Sequence, residues 1–161
     1  MQGVPRVNRQ LLYRSGQLYE FTVSDMRALL QDSRQANARR GVSGLLALRD
    51  GLFMQLLEGP APVVDALFSR IAADPRHCEV RLLVRAERAA PLLPDWPMAW
   101  AEAPPEDGEA PAFAGLQTDH RALAQLERAG DDPVARILCA FLDGASVPRG
   151  GLVPAFAGGW G

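Results

Sequence analysis

Residues 42–60 read VSGLLALRDGLFMQLLEGP and contain two apolar segments separated by a turn signal. The segments run from Val42 to Leu48 and from Leu52 to Leu57, and each has the length of a buried strand. Asp50-Gly51 lies between them and is a strong hairpin signal, because these residue types tolerate the positive φ angles of a two-residue turn. The stretch therefore predicts a β-hairpin in the core of the protein.

One polar side chain, Gln55, lies in the middle of the second apolar segment. A buried side-chain amide carries two donors and an acceptor that need partners. Leaving one of them without a partner costs roughly 1 to 3 kcal/mol. We therefore expect a polar group, either a side chain or a ligand, to face Gln55.

The first half of the chain predicts one strand and one helix before the hairpin. Residues 7–15 form a short strand with Leu11, Tyr13 and Ser15 on one face. Residues 22–25, Thr-Val-Ser-Asp, resemble a capping box that begins a helix, and this helix ends near Gly41.

A second helix and two more strands are predicted after the hairpin. Pro62 suits the first turn of this helix, and Asp74-Pro75 stops it. Alternating apolar residues between Cys78 and Arg85 predict a fourth strand. A fifth strand is expected around Trp96, Met98 and Trp100.

This order of elements predicts an α+β fold, a ferredoxin-like βαββαββ sheet with both helices on one face. The first and third strands are neighbours in such a fold. The opposite face, which carries Leu12, Met54 and Leu56, would then be open to water. Two apolar helical stripes, in residues 116–126 and 134–142, are predicted to form a C-terminal helical pair that covers it.

The chain divides into three predicted parts. Residues 1–102 form the sheet domain, and residues 103–143 contain a linker rich in proline and acidic residues followed by the helical pair. Residues 144–161 are rich in Gly, Pro and Ala, which is typical of a flexible tail, although docking of Trp160 onto a partner is an alternative.

Charge and composition argue against several classes of protein. The formal net charge is -2, and no basic run is longer than Arg39-Arg40, so binding to nucleic acid or to an anionic membrane is not expected. Cys78 and Cys139 are far apart and lack the spacing of a metal or redox site. Without a signal peptide or a transmembrane run, the sequence predicts a reduced, cytoplasmic protein.

Four uncharged polar side chains are predicted to converge on the helix-covered face. Tyr13 and Gln55 have the same parity on neighbouring strands, and Ser33 and Asn37 lie on the inner stripe of the first helix. Each has a structural alternative: a core aromatic for Tyr13, a hydroxyl bonded to its own backbone for Ser33, and a helix C-cap for Asn37. Their convergence favours a ligand.

Six motifs in chain order make the sequence resemble the BLUF domain, the blue-light sensor that uses FAD. The resemblance spans about residues 7–102, and additional helices are usual in short members of that family. The motifs are Tyr13-Arg14-Ser15, Asn37-Ala38-Arg39, Gly44-Leu45-Leu46, Gly51 to Gly59 with Gln55, Asp74-Pro75-Arg76-His77, and Asp95-Trp96-Pro97-Met98.

The resemblance implies a flavin ring between the two helices. Asn37 and Gln55 would lie along its pyrimidine edge, with Ser33 in the same pocket and Arg76 near a carbonyl. Asp74 and His77 would help there, although Asp74-Pro75 is equally a helix stop and His77 equally a loop residue. The sequence has no glycine-rich phosphate loop. The implied cofactor is FAD, for which FMN or riboflavin could substitute.

The resemblance also implies a photoreceptor rather than an enzyme. Blue light excites the flavin, Tyr13 gives it an electron, and a proton follows through Gln55. The pair then recombines, so that the flavin ends oxidised again. During this cycle the Gln55 amide rotates or changes tautomer, the flavin C4 carbonyl gains or strengthens a hydrogen bond, and the absorption shifts to the red. Trp96 and Met98 have the same parity and are predicted to point to one face, where they either exchange with light or serve as edge-strand packing.

The implied output is a separate downstream signalling protein, and homo-oligomers are common among short members of the family. The sequence is also consistent with two alternatives, a light-insensitive flavin-binding protein and a ferredoxin-like protein-interaction module. A flavin enzyme is disfavoured because the sequence has neither a nicotinamide-binding fingerprint nor a clear acid/base set.

Overall fold

The computed structural model describes residues 8–17, 21–74, 77–104 and 110–144. Within these ranges, five strands form one sheet in the order β4-β1-β3-β2-β5. β2 and β5 are parallel, and all other neighbours are antiparallel. The α+β ferredoxin-like prediction is confirmed, with the first and third strands adjacent. The strands are β1 (Asn8–Gln17), β2 (Ser43–Arg49), β3 (Leu52–Pro60), β4 (His77–Arg88) and β5 (Ala99–Glu102).

The hairpin between β2 and β3 has the predicted turn. Asp50 and Gly51 both adopt positive φ angles, 49° and 76°. A turn with two positive φ angles matches the right-handed twist of the strands on either side. Arg49 and Leu52 therefore face each other directly, and the register continues to Ser43 opposite Glu58.

Helix α1 (Val23–Arg40) begins and ends where the sequence predicts. The Thr22 hydroxyl accepts from the Asp25 backbone N–H at 3.0 Å, and the Asp25 carboxylate accepts from the Thr22 backbone N–H at 3.0 Å. This completes a capping box. Gly41 ends the helix in the left-handed region, with φ 72°.

Two apolar layers lie on opposite faces of the sheet. α1 and α2 (Ala61–Ala73) cover the face that carries Leu11, Tyr13, Phe53 and Leu57. α3 (His120–Arg128) and α4 (Pro133–Leu142) cover the other face. Leu12, Met54 and Leu56 on that face are fully buried, at 0% to 1% exposure, so the prediction of a covering helical pair is confirmed.

The fifth strand begins later in the chain than predicted, at Ala99. Trp96 and Met98 both precede β5, in an irregular segment that contains Pro97. Because this segment is not part of a strand, the two-residue alternation of a strand does not apply. Trp96 packs toward the α3–α4 side, whereas Met98 belongs to the α1–α2 side, so the prediction that both point to one face is wrong.

One residue of the C-terminal region also differs from expectation. Leu116 lies before α3 rather than within a helix, and it packs with Phe113 on the α1–α2 side of the sheet. The Glu102 carboxylate fixes this segment, because it accepts from the backbone N–H of Ala112 at 2.6 Å and of Phe113 at 3.2 Å. The predicted tail spans residues 144–161, and all of it after Gly144 lies outside the described residues.

Candidate functional site

Tyr13 and Gln55 form a hydrogen-bonded pair inside the protein. They lie directly opposite each other on β1 and β3. The Tyr13 hydroxyl donates to Oε1 of Gln55. The two residues are only 1% and 9% exposed. The phenol of Tyr13 is therefore one of the polar partners that the sequence predicts for Gln55.

The other end of the Gln55 amide faces Met98. Nε2 donates to the Met98 Sδ over 3.4 Å. A thioether sulfur can accept a hydrogen bond but cannot donate one. Met98 therefore favours this orientation of the amide. In the reversed orientation Oε1 would face the sulfur, and neither atom could donate a hydrogen bond to the other.

The environment of Tyr13 keeps its phenol protonated. Burial raises the pKa of Tyr13 far above its ordinary value, because a phenolate would be poorly solvated there. The Tyr13 ring also contacts the Phe68 ring of α2, with centroids 5.3 Å apart and planes tilted by 57°. Tyr13 is thus a rigidly packed hydrogen-bond donor.

A cavity of about 180 Å³ separates α1 from α2 and reaches the Tyr13–Gln55 pair. Its lining is mostly apolar, which suits a flat, hydrophobic ring system. The polar members of the lining include four of the residues predicted to bind a cofactor. The lining residues are Tyr13, Phe21, Met26, Leu29, Leu30, Ser33, Asn37, Leu46, Phe53, Gln55, Leu57, Leu67, Ile71, Asp74 and Met98.

Asn37 has two separate roles at the end of α1. Its backbone carbonyl accepts from the N–H groups of Gly41 and Val42, as expected near a helix C-terminus. Its side-chain Nδ2 donates to the Pro97 carbonyl at 2.8 Å. This bond uses one of the two N–H donors of the amide, and the amide oxygen can accept from a donor on a ligand.

Of the other predicted site residues, some line the cavity and others do not, or lie outside the described residues. Asp74 follows α2, with its backbone N–H bonded to the Ile71 carbonyl, and it also lines the cavity. Its position ends the helix, and a role for its side chain in binding a cofactor stays a prediction. Arg76 lies outside the described residues. His77 begins β4, but its side chain lies outside the described part of the structure. Trp96 packs on the far side of the sheet.

Glu58 on β3 is a fully buried charged residue that was not predicted from the sequence. Its carboxylate accepts from the backbone N–H groups of Leu92 and Leu93, at 2.8 Å and 3.3 Å, and from Gln10 Nε2 at 3.1 Å. It thereby fixes the start of the segment that leads to Met98. Its position in the apolar run 52–60 was a usable signal, since charged residues are rarely buried without partners.

Two features are absent from the part of the chain that the structure describes. These residues contain no group of three or more His, Cys, Asp or Glu side chains that could hold a metal ion. Among the same residues, no helix has both the length and the apolar character needed to cross a bilayer.

Known protein sequences resemble this chain. The profile of the family described as sensors of blue light using FAD (BLUF) matches residues 9–99. The chain is 30% identical over 135 residues to the photoactivated adenylate cyclase subunit beta of Euglena gracilis, which covers 83% of this chain and 15% of that protein. It is 31% identical over 70 residues to the blue light- and temperature-regulated antirepressor BluF of Escherichia coli, covering 44% of this chain and 17% of that protein.

Solved structures give the same result. The dark-state structure of BlrB, a BLUF protein, superimposes with a TM-score of 0.61 and 30% identity, covering 83% of this chain and 98% of that one. Klebsiella pneumoniae BlrP1, in its manganese and cyclic diGMP complex, has a TM-score of 0.65 and 27% identity, covering 84% of this chain and 32% of that one. Because the family profile spans more than half of its 161 residues, this chain belongs to the BLUF family, the sensors of blue light using FAD.

Proposed function

We propose that this protein is a blue-light photoreceptor in which Tyr13 and Gln55 act on a flavin bound between α1 and α2. The observation that carries the proposal is the buried hydrogen bond from the Tyr13 hydroxyl to Gln55 Oε1 at the wall of the cavity. The proposed electron donor, Tyr13, is therefore hydrogen-bonded at the cavity wall to an amide that can reverse its hydrogen bonds.

The residues around the cavity fit a flavin. The flat faces of the ring system are apolar, and most of the cavity lining is apolar as well. Its pyrimidine edge carries both acceptors and a donor, and amide side chains can satisfy both kinds of group. Gln55 and Asn37 would hold this edge, with Ser33 and Asp74 beside it, and Arg76 and His77 are proposed to assist.

We assign FAD as the cofactor on the basis of the family. The sequence contains no glycine-rich phosphate loop. The isoalloxazine ring, rather than the phosphates, would then provide most of the specific contacts. FMN and riboflavin are therefore proposed to substitute for FAD in this pocket.

Bound flavin would supply the blue-light absorption and the electron-accepting excited state. Tyr13 is the proposed electron donor. Its raised pKa means that the neutral phenol does not lose its proton by ordinary ionisation. A phenol that has lost an electron is strongly acidic, however, so Tyr13 would then release its proton along the hydrogen bond to Gln55. The electron and the proton would afterwards return to Tyr13, so that no group ends in a changed oxidation state and only the arrangement of the Gln55 amide differs.

The Gln55 amide can keep a changed hydrogen-bonding arrangement after this transfer. The two ends of an amide are nearly equal in shape but opposite in hydrogen-bonding sense, so reversal or tautomerisation changes the bonding without changing the packing. In the structure Oε1 faces Tyr13 and Nε2 faces Met98. The rearranged amide would lose the bond to the Met98 sulfur, which would favour return to the dark arrangement.

The proposed output is regulation of an effector rather than catalysis by this domain. The Euglena relative is named as a photoactivated adenylate cyclase subunit, of which this chain matches 15%. We propose that this protein signals to a separate partner, and that it self-associates.

Absorption spectroscopy of the purified protein tests the proposal. The protein expressed with sufficient flavin should be yellow, and a pulse of blue light should cause a small, reversible red shift without bleaching. Colourless protein under these conditions would contradict the photoreceptor function. Lasting reduction of the flavin with turnover of an added electron donor would indicate an enzyme instead.

A further inference from the structure

Arg34 holds the backbone of the residue whose side chain contacts Gln55. Its Nε donates to the Met98 carbonyl at 2.8 Å. Asn37, three residues later on α1, donates to the preceding carbonyl, that of Pro97, also at 2.8 Å. Two side chains of α1 therefore fix the Pro97-Met98 backbone, whereas the Met98 sulfur accepts from Gln55.

The same guanidinium also reaches the segment that leads into α3. Arg34 Nη2 lies 3.5 Å from Oδ2 of Asp119. That carboxylate oxygen accepts from the Trp100 backbone N–H at 2.8 Å. The Asp119 backbone N–H in turn donates to the Trp100 carbonyl at 2.8 Å. Asp119 immediately precedes α3, so this contact ties the start of the helix to β5.

We propose that Arg34 and Asp119 are positioning residues that transmit the change at Gln55 and Met98 to the start of α3. This inference rests on the photoreceptor function proposed above. The path runs from the Gln55 amide to Met98, from the Met98 carbonyl to Arg34, and from Arg34 to Asp119. It connects the cavity face of the sheet to a helix on the opposite face.

The shape of the guanidinium is what couples the two contacts. Its donors lie in one rigid plane, so a shift of the acceptor at Nε must move the donor at Nη2. If Met98 moves when it loses the bond from Gln55, its carbonyl moves with it, and Arg34 must change its contact with Asp119. A lysine at this position would be a flexible point charge and could not bridge both acceptors in this way.

The ion pair is poorly placed to contribute much to stability. The side chains of Arg34 and Asp119 are 43% and 36% exposed. Exposed ion pairs typically contribute about 0 to 1 kcal/mol. Variants at these positions should therefore fold, and a weak contact of this kind can be made and broken during a photocycle.

Hydrogen–deuterium exchange in the dark and under blue light tests the link, with the absorption shift recorded on the same samples. In the wild-type protein, amides at the start of α3 should exchange at different rates in light and dark. Arg34→Gln and Asp119→Asn should retain the red shift but lose most of this light–dark difference. Asp119→Asn keeps a side-chain acceptor for the Trp100 N–H but removes the negative charge that attracts the Arg34 guanidinium, so it weakens the contact with Arg34.

Two further variants make the test specific. Arg34→Lys keeps the positive charge and should also lose most of the light–dark difference, because it cannot bridge. Arg39→Gln removes an exposed arginine from the last turn of the same helix and should behave as the wild type.

Three results would overturn the inference: a full light–dark difference in Arg34→Gln, a full difference in Asp119→Asn, or a wild-type protein that shifts to the red without any change in α3. Absence of the red shift in the wild type would instead contradict the photoreceptor function itself.

Discussion

The Tyr13 phenol and the Gln55 amide are directly opposed across β1 and β3, and the hydroxyl donates to the amide oxygen within the core. Antiparallel register sets this relationship, because a slip of one residue would turn one of the two side chains to the opposite face of the sheet. The alternation of both strands, which buries Leu12 and Leu56 on the opposite face, holds the pair in place.

Tyr13→Phe should retain the flavin and abolish the light-induced red shift, because the variant removes the proposed electron and proton donor. It also leaves the buried Gln55 Oε1 without its donor, which should lower the free energy of unfolding by about 1 to 3 kcal/mol. Absorption spectra and urea denaturation measure the two effects. Tyr19→Phe, at the other tyrosine of the sequence, is the matched control and should shift normally.

Glu58→Gln should change how stability depends on pH. Burial raises the pKa of the Glu58 carboxyl, although bonds from the backbone N–H groups of Leu92 and Leu93, a bond from Gln10 and the charge of Arg88 oppose the increase. Above the ordinary glutamate pKa of about 4.3, the folded state therefore holds the proton more tightly than the unfolded state. Between that value and the raised pKa, stability falls as the pH rises, by at most about 1.4 kcal/mol per pH unit.

Urea denaturation at a series of pH values measures this slope. The wild-type protein should lose stability relative to Glu58→Gln as the pH rises through that window, and the difference should be constant below and above it. If the difference did not change with pH, or if the wild type gained stability as the pH rose, the assignment of a raised pKa to Glu58 would be wrong.

Leu138→Ala should strongly destabilise the protein if α4 is an integral part of the core. Leu138 is fully buried against the sheet, and replacing a buried leucine by alanine typically costs about 2 to 5 kcal/mol. Leu52→Ala is the matched control, since Leu52 is 43% exposed and its loss should change stability by about 0.5 kcal/mol or less. Equal effects of the two substitutions on the denaturation midpoint would show that α4 packs only loosely.

The sequence predicted the parts of the fold that follow regular periodicity. Alternation placed Tyr13 and Gln55 on one face, the Asp50-Gly51 pair predicted the hairpin, and the Thr22 capping box predicted the start of α1. Each of these signals is local, because it depends on the conformations of a few consecutive residues.

The features that were missed depend on irregular backbone or on distant contacts. Trp96 and Met98 lie in a segment without strand geometry, so parity could not assign their faces. Glu58 is buried because Leu92 and Leu93, more than thirty residues away, supply its hydrogen bonds. The contact between Arg34 and Asp119 likewise joins segments that have no sequence pattern in common.

The light-minus-dark absorption difference of Gln55→Leu tests the central claim most directly. Leucine fills a similar space without an amide, so the variant should bind flavin through the remaining cavity residues and remain yellow. We predict that blue light will then produce no red shift, whereas the wild type shifts and recovers. A normal, reversible red shift in Gln55→Leu would contradict the assignment of Gln55 as the group that rearranges.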